Sequence, residues 1–201
     1  MAEYQILLER IMCIFWLLTY IICIIISIKQ KYVMISPITQ IIFISYEISY
    51  IIMKLYYGSF HFNYIVNIYI LWLVCEIIFT ILFIKYKYRK MDIIIYFESL
   101  LFMTTISMYF IVYKLYIVSY GYLIAIIGEL FWLFYLSRKD YPILKSNLIF
   151  LITKFLANLV LIPSYFDIMN VFARILCISL PILDAIFIII YIKKLKVKTG
   201  E

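Results

Sequence analysis

Charge is scarce in this chain. Asp, Glu, Lys and Arg make up 14% of its 201 residues, against roughly 25% in soluble domains. That is too little to clothe a water-facing surface. Glycine and proline number four each and histidine one, which excludes a metal centre built on several imidazoles. The four cysteines, Cys13, Cys23, Cys75 and Cys177, form no CxxC pair and lie within apolar runs. They read as small packing hydrophobes, not a disulfide framework or a zinc site. There is no Gly-rich phosphate loop, GxSxG, HExxH or Asp-rich diphosphate–magnesium motif. Nucleophilic, metal-assisted and phosphoryl-transfer chemistry therefore lack their parts, and no cofactor is expected. No internal repeat is visible, which weighs against transporters assembled from paired halves.

What remains is hydrophobic. Apolar residues make up 68% of the chain, and the mean hydropathy is +1.09. Runs fall at 11–28, 33–55, 64–84, 92–113, 115–136, 147–166 and 170–192. Each is close to the roughly 20 residues that cross a bilayer core. Without strand-like alternation they must satisfy their own backbone groups, so they are expected as helices. The expected architecture is all-α: one seven-helix transmembrane domain over 1–201, in the cell membrane as a multi-pass protein. The opening MAEYQILLER lacks a basic segment and a small-residue cleavage site, so the first run is expected to be a retained helix.

The net charge of +7 is explained by topology and not by nucleic acid. Thirteen Lys and Arg residues fall in one alternate set of loops, including Lys29, Lys85, Arg138 and Lys194. The other set holds three, Arg10, Lys54 and Lys114. This asymmetry places the N-terminus outside and the C-terminus in the cytoplasm.

Five acids interrupt the runs, Glu47, Glu76, Glu98, Glu129 and Asp184, with two bases, Lys154 and Arg174. Each acid costs about 2.5–3.5 kcal/mol at a helix centre on insertion scales. Helical spacing groups them with other polar residues. Ser36, Gln40, Glu47, Tyr50 and Lys54 share a stripe; so do Trp72, Glu76 and Thr80; Glu98, Thr105 and Tyr109; Glu129 and Trp132; Asn147, Lys154, Asn158 and Tyr165; and Pro181, Asp184 and Tyr191. Converging stripes would form a polar pocket. Pairs such as Glu129 with Lys154 would equally serve to hold helices together. Two bases cannot neutralise five acids, so some carboxyls are expected to be buried as neutral acids, a form suited to proton donation. General acid catalysis and proton-coupled transport stay open. Carbocation chemistry is open too, with rings such as Tyr46, Tyr50, Trp72, Tyr109 and Trp132 each supplying about 0.5–2 kcal/mol to a cation.

Several short motifs sharpen this. The second run reads SPITQIIFISYEISYIIM, with Pro37 near its start and Tyr46–Glu47 downstream. The third contains WLVCE, the fifth GELFWLFYLSR, the sixth LITKFLANL and the last LPILDAIFIIIYI. In order and spacing the chain resembles the small seven-helix integral membrane terpene cyclases, the paxilline-type family of indole-diterpene and meroterpenoid cyclases. It departs from them in having Tyr46 where Trp is usual, Glu76 where Asp is common, and Ala157–Asn158 where a Gly–Thr pair is common. The resemblance implies metal-independent cyclisation of a hydrophobic prenylated molecule, begun by protonation of an epoxide or terminal alkene. By position it assigns the essential acids to Glu47, as proton donor, and Asp184, as its assistant. Gln40, Tyr46, Tyr50, Trp72, Glu76, Glu98, Tyr109, Glu129, Trp132, Lys154 and Asn158 are expected to line the pocket. The rival expectations are a proton- or cation-coupled transporter or channel and a non-catalytic membrane scaffold. The sequence leaves the oligomeric state open.

Overall fold

A computed structural model describes residues 3–56, 64–86, 90–112, 117–138, 141–165 and 171–199. Among these it has seven α-helices: α1 Glu3–Gln30, α2 Pro37–Tyr56, α3 Tyr64–Lys85, α4 Lys90–Val112, α5 Ile117–Ser137, α6 Asn147–Tyr165 and α7 Val171–Thr199. Each corresponds to one expected run. Five helices are long and apolar enough to cross a membrane, and they suggest a bilayer environment. Over the described residues, Leu123–Ser137 and Asn147–Pro163 are shorter apolar stretches. His61 and Lys114 lie outside the described residues.

The helix ends differ from the runs for physical reasons. α1 begins at Glu3 because a polar turn can be helical without being hydrophobic. α2 begins at Pro37, since proline's fixed φ suits the first helical position and pushes the residue before it out of the helical region.

The packing inverts that of a soluble protein. Leu101, Phe134 and Val171 are about 70% exposed, whereas Gln40, Glu76, Glu129, Lys154 and Asn158 are fully buried. The helix contacts close a ring in the order α1–α6–α7–α5–α2–α3 and back to α1. Each of the six helices sends polar groups into the interior. α4 stands outside the ring, packed mainly on α2, and meets α3 through the Phe83–Tyr96 ring pair at 4.8 Å. α2 and α5 meet at Gly128, whose carbonyl accepts a hydrogen bond from Thr39 Oγ1 at 2.8 Å. A Cβ on Gly128 would lie 2.8 Å from Phe43 Cε1. A small residue is what lets these two backbones come together.

One end of the ring is sealed by the α1–α2 connection. Lys31 has a φ of 50°. Tyr32 N–H donates to Ser27 O at 3.2 Å and Lys31 N–H to Ile28 O at 3.3 Å. This is a Schellman cap with lysine at the position that favours glycine. The chain then runs inward, and Val33, Met34, Ile35 and Ser36 are all buried. Irregular backbone survives such burial only where its polar groups find partners. Here Tyr135 Oη donates to Val33 O at 3.1 Å, Trp132 Nε1 to Met34 O at 2.9 Å, and Tyr141 Oη to the same Met34 carbonyl at 3.2 Å. Met34 N–H donates to Ser27 Oγ at 3.1 Å. Tyr141 lies between α5 and α6, and burial holds its phenol well above its ordinary pKa, which keeps it a donor. On the same end Lys194 Nζ donates to the last carbonyls of α5, Leu136 O and Ser137 O. Tyr191 Oη joins Leu144 N–H and Asn147 Nδ2.

Candidate functional site

The buried polar groups fall into two clusters rather than one. The first joins α5, α6 and α7. Lys154 Nζ donates to Glu129 Oε2 and to Asp184 Oδ1, with all three side chains at 2% exposure or less. Asn158 Nδ2 donates to Asp184 Oδ2 at 2.7 Å. The Lys154 ammonium also lies 5.1 Å from the centre of the Trp132 ring and 5.0 Å from that of Phe187. Trp132 is held in place by its bond to Met34 O and by parallel stacking on Phe150 at 5.8 Å. A primary ammonium buried this deeply needs two carboxylates and two aromatic faces to replace its water.

The second cluster joins α1, α2 and α3. Glu47 is 3% exposed and Glu76 is 0% exposed, and they stand within electrostatic reach of each other. Tyr20 is beside both. Among the described residues Glu47 Oε2 and both Glu76 carboxyl oxygens have no hydrogen-bond partner at full bonding geometry, the Tyr20 hydroxyl being the donor that stands beside Glu76, and no lysine or arginine pairs with either acid. Gln40 Nε2 donates to Glu76 O at 2.9 Å and to Thr80 Oγ1 at 3.0 Å. Its Oε1 is buried without a partner among the described residues, as is Trp72 Nε1. Thr80 Oγ1 lies 3.1 Å from Tyr96 Oη. Next to these acids is an aromatic group: Tyr50 stacks on Tyr69 at 4.2 Å, Tyr46 lies 6.2 Å from Tyr69, and Trp72 meets Tyr69 edge-on at 5.2 Å. Cys23, fully buried on α1, is within electrostatic reach of both Glu76 and Lys154.

The expected pocket is thus brought together in part. Gln40, Tyr46, Glu47, Tyr50, Trp72 and Glu76 gather in one cluster, and Glu129, Trp132, Lys154, Asn158 and Asp184 in the other. Two expectations need correction. Asp184, expected as the assistant of Glu47, is gathered with Lys154 and Asn158 instead, both its oxygens being engaged there. Glu98 and Tyr109 do not line the interior: both are exposed on α4, because α4 lies outside the ring and turns Tyr96 and Ser107 inward instead.

The residues missed by sequence reasoning are on α1. Gln5, Glu9, Thr19, Tyr20 and Ser27 are all buried. Their signal was present: Gln5, Glu9, Met12, Trp16, Thr19, Cys23 and Ser27 recur at helical three- and four-residue steps. Glu9 is within electrostatic reach of Tyr50.

Fold and site together define a class: an all-helical bundle of membrane-crossing type, whose interior holds one carboxylate pair bridged by a lysine and, among the described residues, a second pair without a counter-cation. Comparison with family models, curated proteins and solved structures finds no match to this chain.

Proposed function

We propose that the protein is a membrane-embedded terpene cyclase acting on a hydrophobic prenylated molecule, with Glu47 as the general acid and Glu76 as its partner. The observation that carries this reading is the Glu47–Glu76 pair: two neighbouring buried carboxyls, no base beside them among the described residues, and Tyr20, Tyr46, Tyr50 and Trp72 close by. Two like charges within electrostatic reach of each other resist joint ionisation. Such a pair holds a proton to give and a carboxylate to steady the positive charge that results. In the reaction Glu47 transfers its proton to an epoxide oxygen or a terminal alkene carbon. The neighbouring double bond closes on the cation, and a carboxylate takes up the proton released at the end, so substrate and product have the same mass. Aromatic faces stabilise the cation in between. The Lys154 cluster, with Asp184 in it, ties α5, α6 and α7 together on the other side of the ring.

The same reading has all seven helices crossing the cell membrane, with the lysine-rich loops and the C-terminus cytoplasmic. Cysteine labelling from each side of sealed cells, at Lys29 and at Lys54, tests that orientation.

The cyclase reading is tested by supplying membranes containing the protein with prenylated aromatic substrates, epoxidised and not, and seeking an isomer of unchanged mass. Glu47→Gln is expected to lower the rate about 10²- to 10⁴-fold. Equal turnover by Glu47→Gln and native protein, or no isomer from any prenyl chain, overturns it.

One observation favours a second reading. A lysine bridged by two buried carboxylates also suits proton- or cation-coupled transport. Substrate-driven, pH-dependent flux in proteoliposomes, lost in Lys154→Met, would establish that reading instead.

A further inference from the structure

The Lys154 cluster shows how this bundle accommodates an ammonium. Two carboxylates from different helices, Glu129 and Asp184, contact the nitrogen, and the Trp132 and Phe187 rings lie about 5 Å from it. The Glu47–Glu76 cluster repeats the carboxylate pair, again from two helices, with Tyr20 beside both acids and Trp72 one helical turn from Glu76. Among the described residues it contains no ammonium. Its polar atoms are also unbalanced. Gln40 Oε1, Glu47 Oε2 and both Glu76 oxygens have no partner at bonding geometry among the described residues, nor has Trp72 Nε1; even with one shared proton and the Tyr20 hydroxyl beside Glu76, acceptors outnumber donors. Gln40 is an independent sign that the cluster is built to receive a ligand. Its amide nitrogen is fixed against α3 by two hydrogen bonds, yet the amide oxygen of this fully buried side chain has no partner among the described residues. Buried polar atoms rarely stay unpaired. What completes this patch must bring donors and positive charge, and an apolar body to suit the aromatic neighbours.

From this we infer that the Glu47–Glu76 cluster is a binding site for lipophilic amines, which occupy it as ammonium ions in the way that Lys154 occupies the other pair. The proposal rests on the same site as the cyclase reading and adds a ligand class to it, since an ammonium carries the charge of a carbocation without its reactivity.

The test uses the full chain in lipid nanodiscs, titrated with N,N-dimethyldodecylamine and, separately, with dodecanol as the neutral chain of equal length. Saturable binding of the amine and none of the alcohol is expected. Glu76→Gln and Glu47→Gln should each weaken amine binding roughly 10- to 100-fold, and Glu98→Gln, on the outer face of α4, should leave it unchanged. Equal affinity for amine and alcohol, or undiminished affinity in Glu47→Gln/Glu76→Gln, overturns the proposal. A second measurement needs no variant. Dicyclohexylcarbodiimide modification of Glu47 and Glu76 in the native protein, located by mass spectrometry, is expected to fall when the amine is present and not when dodecanol is. Modification that the amine leaves unchanged overturns the proposal as well. The two readings fail separately. If the amine does not bind but Glu47→Gln still abolishes cyclisation, only the amine site is lost; if the amine binds in a protein that forms no isomer, only the cyclase is.

Discussion

Replacing Lys154 with methionine removes a charge while nearly preserving volume, and the geometry ranks the consequences. The ammonium is bonded to Glu129 Oε2 and Asp184 Oδ1, and no side chain of the three is more than 2% exposed, so solvent cannot replace it. Asp184 keeps Asn158 at 2.7 Å. Glu129 keeps nothing, because its other oxygen already lacks a partner among the described residues. Breaking a buried pair by deleting one member costs about 3–5 kcal/mol, mostly from the charge left behind. Set against a total stability of about 5–15 kcal/mol, that is a large share. Lys154→Met should therefore be destabilised by about 3–5 kcal/mol in reversible unfolding, monitored by circular dichroism in mixed dodecyl maltoside and dodecyl sulfate micelles. Adding Glu129→Gln should recover most of the loss, and adding Asp184→Asn noticeably less. A Lys154→Met protein within about 1 kcal/mol of native, near the size of one ordinary hydrogen bond, would refute the reasoning. So would equal recovery by the two second substitutions.

Two other changes test the packing. Gly128→Ala places a methyl 2.8 Å from Phe43 Cε1; it should cost about 1–3 kcal/mol as overpacking in the same unfolding assay, and Phe43→Leu in the same chain should relieve it. Lys31→Gly removes a Cβ from a left-handed cap at a φ of 50° and should stabilise by about 1 kcal/mol, seen as a higher unfolding midpoint.

Much of the fold was legible because a helix that buries its backbone groups in an apolar run announces itself by length alone. All seven runs correspond to helices, and the stripes containing Gln40 and Glu47, Trp72 and Glu76, and Lys154 and Asn158 do face inward. The α4 stripe failed for a reason of arrangement. Periodicity shows which residues share a face of a helix but not which way that face points, and Glu98 and Ser107 are both polar by residue type. The partner of Asp184 was hidden similarly. Lys154 had one candidate acid by inspection, Glu129, and the second bond exists only because α7 closes the ring between α5 and α6. The segment 31–36 carried no signal either. Nothing in YVMIS distinguishes a surface turn from a buried plug until Trp132, Tyr135 and Tyr141 supply its donors.

The two carboxylate pairs frame the question of why acids persist in such a chain. Around Lys154 much of the cost of burial is offset within the protein: one cation, two anions and two rings are in contact, with Glu129 Oε1 and Asn158 Oδ1 left without a partner among the described residues, and a structural role is sufficient to explain the cluster. Around Glu47 and Glu76 the described structure offers less: Tyr20 stands beside both acids, but no cation does. An apolar pair at those positions would fold at least as well, since a buried polar group without partners only subtracts from stability. Whatever compensates these two acids must therefore act when something else is present, and a positive charge that arrives from outside, whether bound as an ammonium or made in place by protonation, is the kind of group that would do so.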